Sequence, residues 1–316
     1  MVFYECMIYR QEHKGGVWVD LEQPSDEEIR DTAREFGIDE RLEAEILSPS
    51  PFPLVSSDGG IALVVLHFPA HTNDHEDVDG GTRSQEVDVI VGKKFVVTVR
   101  YEVVAPLHRL RRLLESEEMI SGHPQITTDV LVEILFAHLY AAVRDHTNHI
   151  ADRVTRIERE MFDGRERLTV RQISNVNREY LHLEAALANQ EEPLARFLSV
   201  LAQAEFFGPS FAERRTRTLT ERGQVAQLVR THRAVAAELR ETNTALLNAT
   251  QNEIMKTLTV VNFIFLPLGL ISWIFAMRTE GMPLIERPDA FWIVVGSMLA
   301  VALTLTFFFK KKRWLF

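Results

Sequence analysis

In the N-terminal third of the chain, apolar positions alternate or fall in short β-branched runs. Beyond it they recur every three or four residues, and near the C-terminal end they become continuous. The first pattern predicts strands and the second helices; an unbroken apolar run of about 20 residues is long enough to cross a bilayer. Met1–Arg10 and Gly16–Leu21 read as strands about a turn at Gly15-Gly16. In QPSDEEIRDTAREFGI, Ser25 stands as an N-cap with Glu28 three positions on, the spacing of a capping box, and Gly37 ends the helix. Asp39–Leu47 reads as a second helix and the proline-rich SPSPFP as a break. Ile61–Phe68, Glu86–Val91 and Lys94–Val99 are expected strands. VAPLHRLRRLLES returns to helical spacing and closes a mixed α/β region near Ser121.

From Thr127 onward the pattern is helical: Val130–Met161, then Leu168–Phe207, then a third helix from near Ser210. In the third, Val225, Leu228, His232, Val235, Leu239, Thr242, Leu246 and Ala249 recur at alternating steps of three and four. That is a heptad seam, or equally a helix packed on its own neighbours. No breaker separates it from the apolar run that follows. One helix from Leu219 to Met277 would be roughly 90 Å long at 1.5 Å per residue.

Leu258–Met277 and Ala290–Phe309 are uncharged and predict two membrane spans. Pro267 inside the first is tolerable where neighbouring helices satisfy the freed carbonyl. Trp273, Trp292 and Trp314 fall where an aromatic belt would lie, and KKKR (Lys310, Lys311, Lys312, Arg313) directly follows the second span. Basic flanks mark the cytoplasmic side, so both termini are expected inside and the loop 278–289 outside. MVFYECMIYR has no basic leader or cleavage site, consistent with a cytosolic N-terminus. The expected organisation is a cytosolic α/β domain (1–121), long cytosolic helices (122–256) and a transmembrane domain (257–316).

Composition narrows the function. The formal net charge of −10 argues against nucleic-acid binding, which needs a basic face. The single Cys excludes an internal disulfide and a multi-cysteine zinc site. No nucleophile–base constellation, P-loop or dinucleotide fingerprint appears, so an enzyme is not expected and no bound cofactor is implied.

Wound as a helix, the first span puts Asn252, Met255, Thr259, Asn262, Leu266, Gly269 and Trp273 on one face. An intramembrane asparagine requires a partner or water. It either joins helices by hydrogen bonds or lines a wet pore built from several copies. The span offers no carboxylate, histidine or cysteine to hold a metal tightly. Amides, hydroxyls and carbonyls suit a cation that keeps its water, as Mg²⁺ tends to.

The stretch NEIMKTLTVVNFIFLPLGLISWIFAMRTEGMP resembles the first transmembrane helix of the CorA family of divalent-cation transporters. It carries Asn252, Met255, Lys256, Leu258, Thr259, Ile264, Phe265, Pro267, Leu268, Met277, Met282 and Pro283 in that family's pattern. FKKKRWL resembles the family's C-terminus, and WVDLEQPSDEE with EVDVIVGKKFVVTVRYE its cytosolic domain. The resemblance implies a funnel-shaped homopentamer in the inner membrane, with an α/β cytosolic domain, long stalk helices and a two-helix transmembrane hairpin. It implies pore-lining roles for Asn252, Met255, Leu258, Asn262, Leu266 and Gly269. Lys256 and the basic tail would form an inner collar.

The family's Y-G-M-N is here Phe275-Ala276-Met277-Arg278, and its M-P-E-L is Met282-Pro283-Leu284-Ile285. Ala276, Met277 and Arg278 thus occupy the outer mouth, with Glu280, Glu286 and Asp289 as loop acids that could pair Arg278 or attract cations. The altered mouth points to broad divalent selectivity, Zn²⁺ and Mg²⁺ with Co²⁺ or Ni²⁺. The alternative is a membrane-anchored metal sensor or scaffold that does not conduct. Elsewhere, Asp145, His149 and Asp152 share a helix face that could hold a metal such as Zn²⁺, or simply be solvated. His71, Asp74, His75, Glu76, Asp77 and Asp79 form an acidic, histidine-bearing loop.

Overall fold

The computed structural model describes residues 7–13, 15–69, 84–121, 126–204, 207–277 and 289–312. The chain divides into two compact units, Met1–Arg240 and Glu241–Phe316.

The first unit is built on a six-stranded sheet: β1 (Met7–His13), β2 (Gly16–Glu22), β3 (Leu54–Asp58), β4 (Ile61–Pro69), β5 (Ser84–Gly92) and β6 (Phe95–Arg100). Their order is β1-β2-β6-β5-β4-β3, and β2–β6 is the parallel pair in an otherwise antiparallel array. β1 is read from sequence as ending at Arg10, yet it runs to His13, because the turn pairs His13 with Gly16. A Cβ at Gly16 would lie 1.7 Å from the Lys94 carbonyl oxygen, so no larger residue fits there. β3 was not anticipated: it is a half-exposed edge strand whose pattern LVSSD follows directly on the proline break.

α1 (Asp26–Phe36) and α2 (Glu40–Ile46) cover one face of the sheet. Ser25 and Glu28 form the full capping box, and Gly37 closes α1 at φ 63°, ψ 35°, the left-handed cap that glycine adopts at little cost. Val19, Leu21, Leu63, Val65, Ile90, Val97 and Val99 point from the sheet into this layer, against Ile29, Ala33, Leu42 and Ile46. On the opposite face Arg100 is fully buried. Its Nε donates to Asp20 Oδ1 at 3.2 Å, and its Nη2 donates to Asp20 Oδ2 and Glu22 Oε2, each at 2.7 Å. Thr98 Oγ1 donates to Asp20 Oδ1 at 2.6 Å and accepts from Trp18 Nε1 at 3.1 Å. A charge taken out of water here is matched by two carboxylates, as burial requires.

The helical layer comprises α3 (Ala105–Ser121), α4 (Thr128–Glu160), α5 (Glu166–Asn189), α6 (Glu191–Gln203) and the first part of α7 (Phe211–Ala276). A short turn, Met161–Arg165, with Gly164 at φ 81°, reverses the chain between α4 and α5. Leu168–Phe207, read from sequence as one helix, is two. Gln190 breaks it, its side chain buried between the Tyr140 hydroxyl, which donates to Oε1, and the His67 carbonyl, to which its Nε2 donates. Pro193 sits in the first turn of α6, where its missing N–H costs nothing. Ion pairs tie α7 to α4 (Arg214 to Asp129 and Glu133, Arg144 to Glu221) and to α5 (Arg233 to Glu184). The stripe of α7 buried here is Val225, Val229, Ala236 and Leu239, while Val235 of the expected seam is exposed. The seam is thus rotated, because α4 and α5 of the same chain already occupy that side.

In the second unit α7 continues to Ala276 and α8 (Ala290–Lys311) follows. At 66 residues, α7 is about 100 Å long.

Candidate functional site

The C-terminal part of α7 and the whole of α8 are apolar and scarcely buried. Phe265, Leu266 and Trp273 are 66, 71 and 71% exposed, and Phe291, Trp292 and Phe307 are 68, 72 and 70% exposed. The core helix of a soluble protein would bury such residues; these two need a hydrocarbon solvent or partner helices.

Around α7 the covered side is Val260, Ile264, Pro267, Leu268, Ile271 and Phe275. Val260 is fully buried, and the Phe263 and Phe309 rings stand 6.1 Å apart, which places α8 along this flank. At 100° per residue, Asn252, Met255, Thr259, Asn262, Leu266 and Gly269 project on the far side of α7, about half a turn away. Asn252, Met255, Asn262 and Leu266 are exposed, as is Leu258 at the stripe's edge, and Thr259 and Gly269 are partly so. α8 therefore covers the apolar flank and leaves the polar stripe open.

The stripe is chemically one-sided. The Thr259 hydroxyl donates to the Met255 carbonyl at 2.7 Å, so its free lone pairs face outward as acceptors. Thr257 bonds in the same way to Glu253 at 3.0 Å. Waters bound to a metal cation turn their hydrogens outward, and hydroxyl and amide oxygens accept them. Among the described residues of the stripe there is no carboxylate, so the hold on an ion stays weak.

At its C-terminal end α7 gives out at Ala276, and Met277 N still donates to Trp273 O and Ile274 O at 3.2 and 3.3 Å. Asp289, exposed, is the N-cap residue of α8 and makes no side-chain cap bond. Arg278, Glu280 and Glu286 lie outside the described residues, as does Arg313. At the other end Lys256 is exposed on α7, and Lys310 and Lys311 close α8, where cations meet the negative end of the helix dipole. Lys312 Nζ lies 5.5 Å over the Phe308 ring.

Asp145, His149 and Asp152 are exposed along α4. Among the described residues no three His, Cys, Asp or Glu side chains are grouped so as to hold a metal, these three included. The loop with His71, Asp74, His75, Glu76, Asp77 and Asp79 lies outside the described residues. Sequence reading passed over the acids of EVDVIV: Glu86 and Asp88, two apart, are both buried on one face of β5. Two acids alternating inside an otherwise apolar strand were the signal available.

A six-stranded sheet, a layer of long helices and two open apolar helices long enough to cross a bilayer make the architecture of a two-span membrane protein. The sequence pattern of the CorA-like Mg²⁺ transporter protein family matches residues 13–311, and the chain belongs to that family. It is similar to the cobalt/magnesium transport protein CorA of Methanocaldococcus jannaschii, 20% identical over 307 residues, covering 95% of this chain and 91% of the relative. The protein of the same name from Thermotoga maritima is 26% identical over 287 residues, 89% of this chain and 78% of the relative. The complete structure of the CorA magnesium transporter from M. jannaschii superposes with a TM-score of 0.80 at 18% identity, covering all of both chains. At that identity the likeness shows the fold.

Proposed function

We propose that this chain forms a homopentamer in the inner membrane that conducts hydrated divalent cations through a pore lined by the first span of α7. The observation that carries this reading is the polar stripe Asn252, Met255, Thr259, Asn262, Leu266, Gly269, left open opposite the α8-covered flank. Family membership and the cobalt/magnesium relatives support the substrate class. In this reading 1–121 is the cytosolic α/β domain, 122–256 the cytosolic helices with the stalk, and 257–316 the transmembrane domain. Both termini face the cytoplasm, as Lys310–Arg313 require.

Five copies place rings of amide and hydroxyl oxygens around a wet axis, with Met255, Leu258 and Leu266 as apolar constrictions between them. Each ring accepts hydrogens from the ion's own waters, so Mg²⁺ need not be stripped. Lys256 and the tail lysines make the inner collar. At the outer mouth Ala276 and Arg278, on either side of the retained Met277, stand where the family has a glycine and an asparagine. Arg278 is held by Glu280, Glu286 or Asp289, its own or a neighbour's, and the remaining acids draw cations in. Selectivity is broad, across Mg²⁺, Co²⁺, Zn²⁺ and Ni²⁺.

The test is flux of these four ions into proteoliposomes with the mass of the detergent-solubilised assembly measured in parallel. Flux above empty vesicles from a pentamer is the expected result. A pentamer without flux would favour the second reading, a metal sensor or scaffold blocked by Arg278. Arg278→Ala is expected to spare or raise flux, and its abolition of flux would refute the pairing.

A further inference from the structure

We infer that Glu86, Asp88, His67 and Ser50 form a proton-dependent latch that holds the proline-rich turn after α2 against the sheet. Ser50 N donates to both Glu86 carboxylate oxygens, at 2.9 and 2.8 Å. His67 Nε2 meets the Ser50 carbonyl at 2.8 Å and Glu86 Oε2 at 3.5 Å. Asp88, two residues along β5 on the same face, is fully buried; Tyr101 Oη lies 3.3 Å from its Oδ2 and donates to the Ile46 carbonyl at 2.7 Å. Among the described residues Asp88 Oδ1, though buried, has no hydrogen-bond partner. One short turn and the end of α2 are thus fastened by two acids, one histidine and one tyrosine.

Among the described residues, the surrounding elements add no compensating cation. From β6 the group facing the pair is Tyr101, since Arg100 points to the other face, where Asp20 and Glu22 hold it. From α2 comes the Ile46 carbonyl, and from the α5–α6 junction the Gln190 amide, which donates to the His67 carbonyl. His182 of α5 shares with His67 the lining of a cleft of about 250 Å³, whose other wall is Pro51, Phe52 and Pro53. Two buried carboxylates against one imidazolium leave an uncompensated charge, and a proton on Asp88 removes it.

Burial, followed by the charge and the hydrogen bond of Glu86, raises the Asp88 carboxyl well above its ordinary value. The hydrogen bond to Glu86 raises His67, against the opposing effect of burial. Both groups therefore have a folded-state pKa above the unfolded one. Each contributes stability that is complete below its unfolded pKa and is lost as pH rises through the folded value. The two titrations act in the same sense: alkalinity unfastens the turn and frees the Pro51–Pro53 wall of the cleft.

Hydrogen exchange of the full chain in lipid nanodiscs tests this. After correction for chemical exchange, protection of residues 47–53 in the wild type should fall as pH rises towards the folded-state pKa values, by up to about tenfold per pH unit for each titrating group, and level off above them. Asp88→Asn should flatten that slope, and Asp58→Asn, at the exposed end of β3, should leave it unchanged. An unchanged slope in Asp88→Asn, or equal flattening in both variants, overturns the latch. Infrared spectroscopy of the wild type gives an independent reading that needs no variant. A protonated-carboxyl band at neutral pH, lost on alkalinisation together with the protection, supports it, and no such band overturns it.

Discussion

Replacing Asn262 by leucine asks whether the polar stripe of α7 faces water. Asn262 stands four residues past Leu258, so about 6 Å into the first span at 1.5 Å per residue. It is exposed and lies on the side of α7 away from α8. A side-chain hydrogen bond contributes about 1 kcal/mol net, and three such bonds from a ring of five to the waters of one ion make about 3 kcal/mol. Loss of that stabilisation at a step on the conduction path slows it by roughly a hundredfold. The assay is Mg²⁺ or Co²⁺ entry into proteoliposomes, normalised to assembled protein, with Leu268→Ile on the α8-facing flank as the control that leaves flux unchanged. Asn262→Leu flux within about threefold of wild type, less than 1 kcal/mol of barrier, refutes the reasoning. A lipid-facing asparagine behaves differently again: its replacement by leucine removes a polar group from hydrocarbon, raises thermal stability and leaves flux intact.

Other expectations concern the cytosolic unit. Asp20→Ala strands the fully buried Arg100 with Glu22 alone and should cost about 3–5 kcal/mol, read as an earlier thermal transition of the detergent-solubilised protein. Ser25→Ala removes one half of the capping box and should cost about 1 kcal/mol in the same measurement. Gly164→Ala places a side chain at φ 81° in the turn between α4 and α5; nothing lies within 4 Å to clash, so a cost of about 1 kcal/mol from the backbone alone is expected. A Gly164→Ala melt at or above wild type would show that the turn relaxes out of the left-handed region.

Local chemistry was legible in the sequence wherever a few neighbouring residues decide the outcome. The Ser25–Glu28 box, the Gly37 stop, the β4, β5 and β6 runs, both apolar helices and the face carrying Asn252, Thr259 and Asn262 are all of this kind. Each depends on spacing within one element, where the backbone period alone sets which side chains meet. The edge strand Leu54–Asp58, the break at Gln190 and the rotated stripe of α7 depend on partners far along the chain. Leu54 pairs with Val65, Gln190 is held by Tyr140 and His67, and Val229 rather than Val235 is covered because α4 and α5 arrive from one side. The sheet order, with β2 parallel to β6, carries no local signal either. Nor does the meeting of Glu86, Asp88 and His67, since a carboxylate's protonation depends on what surrounds it. Sequence alone determined that two segments must leave water and that one bears an amide stripe; the tertiary structure decided that α8 packs on the opposite flank. Hydrophobicity is a property of each residue, whereas exposure is a property of what packs beside it.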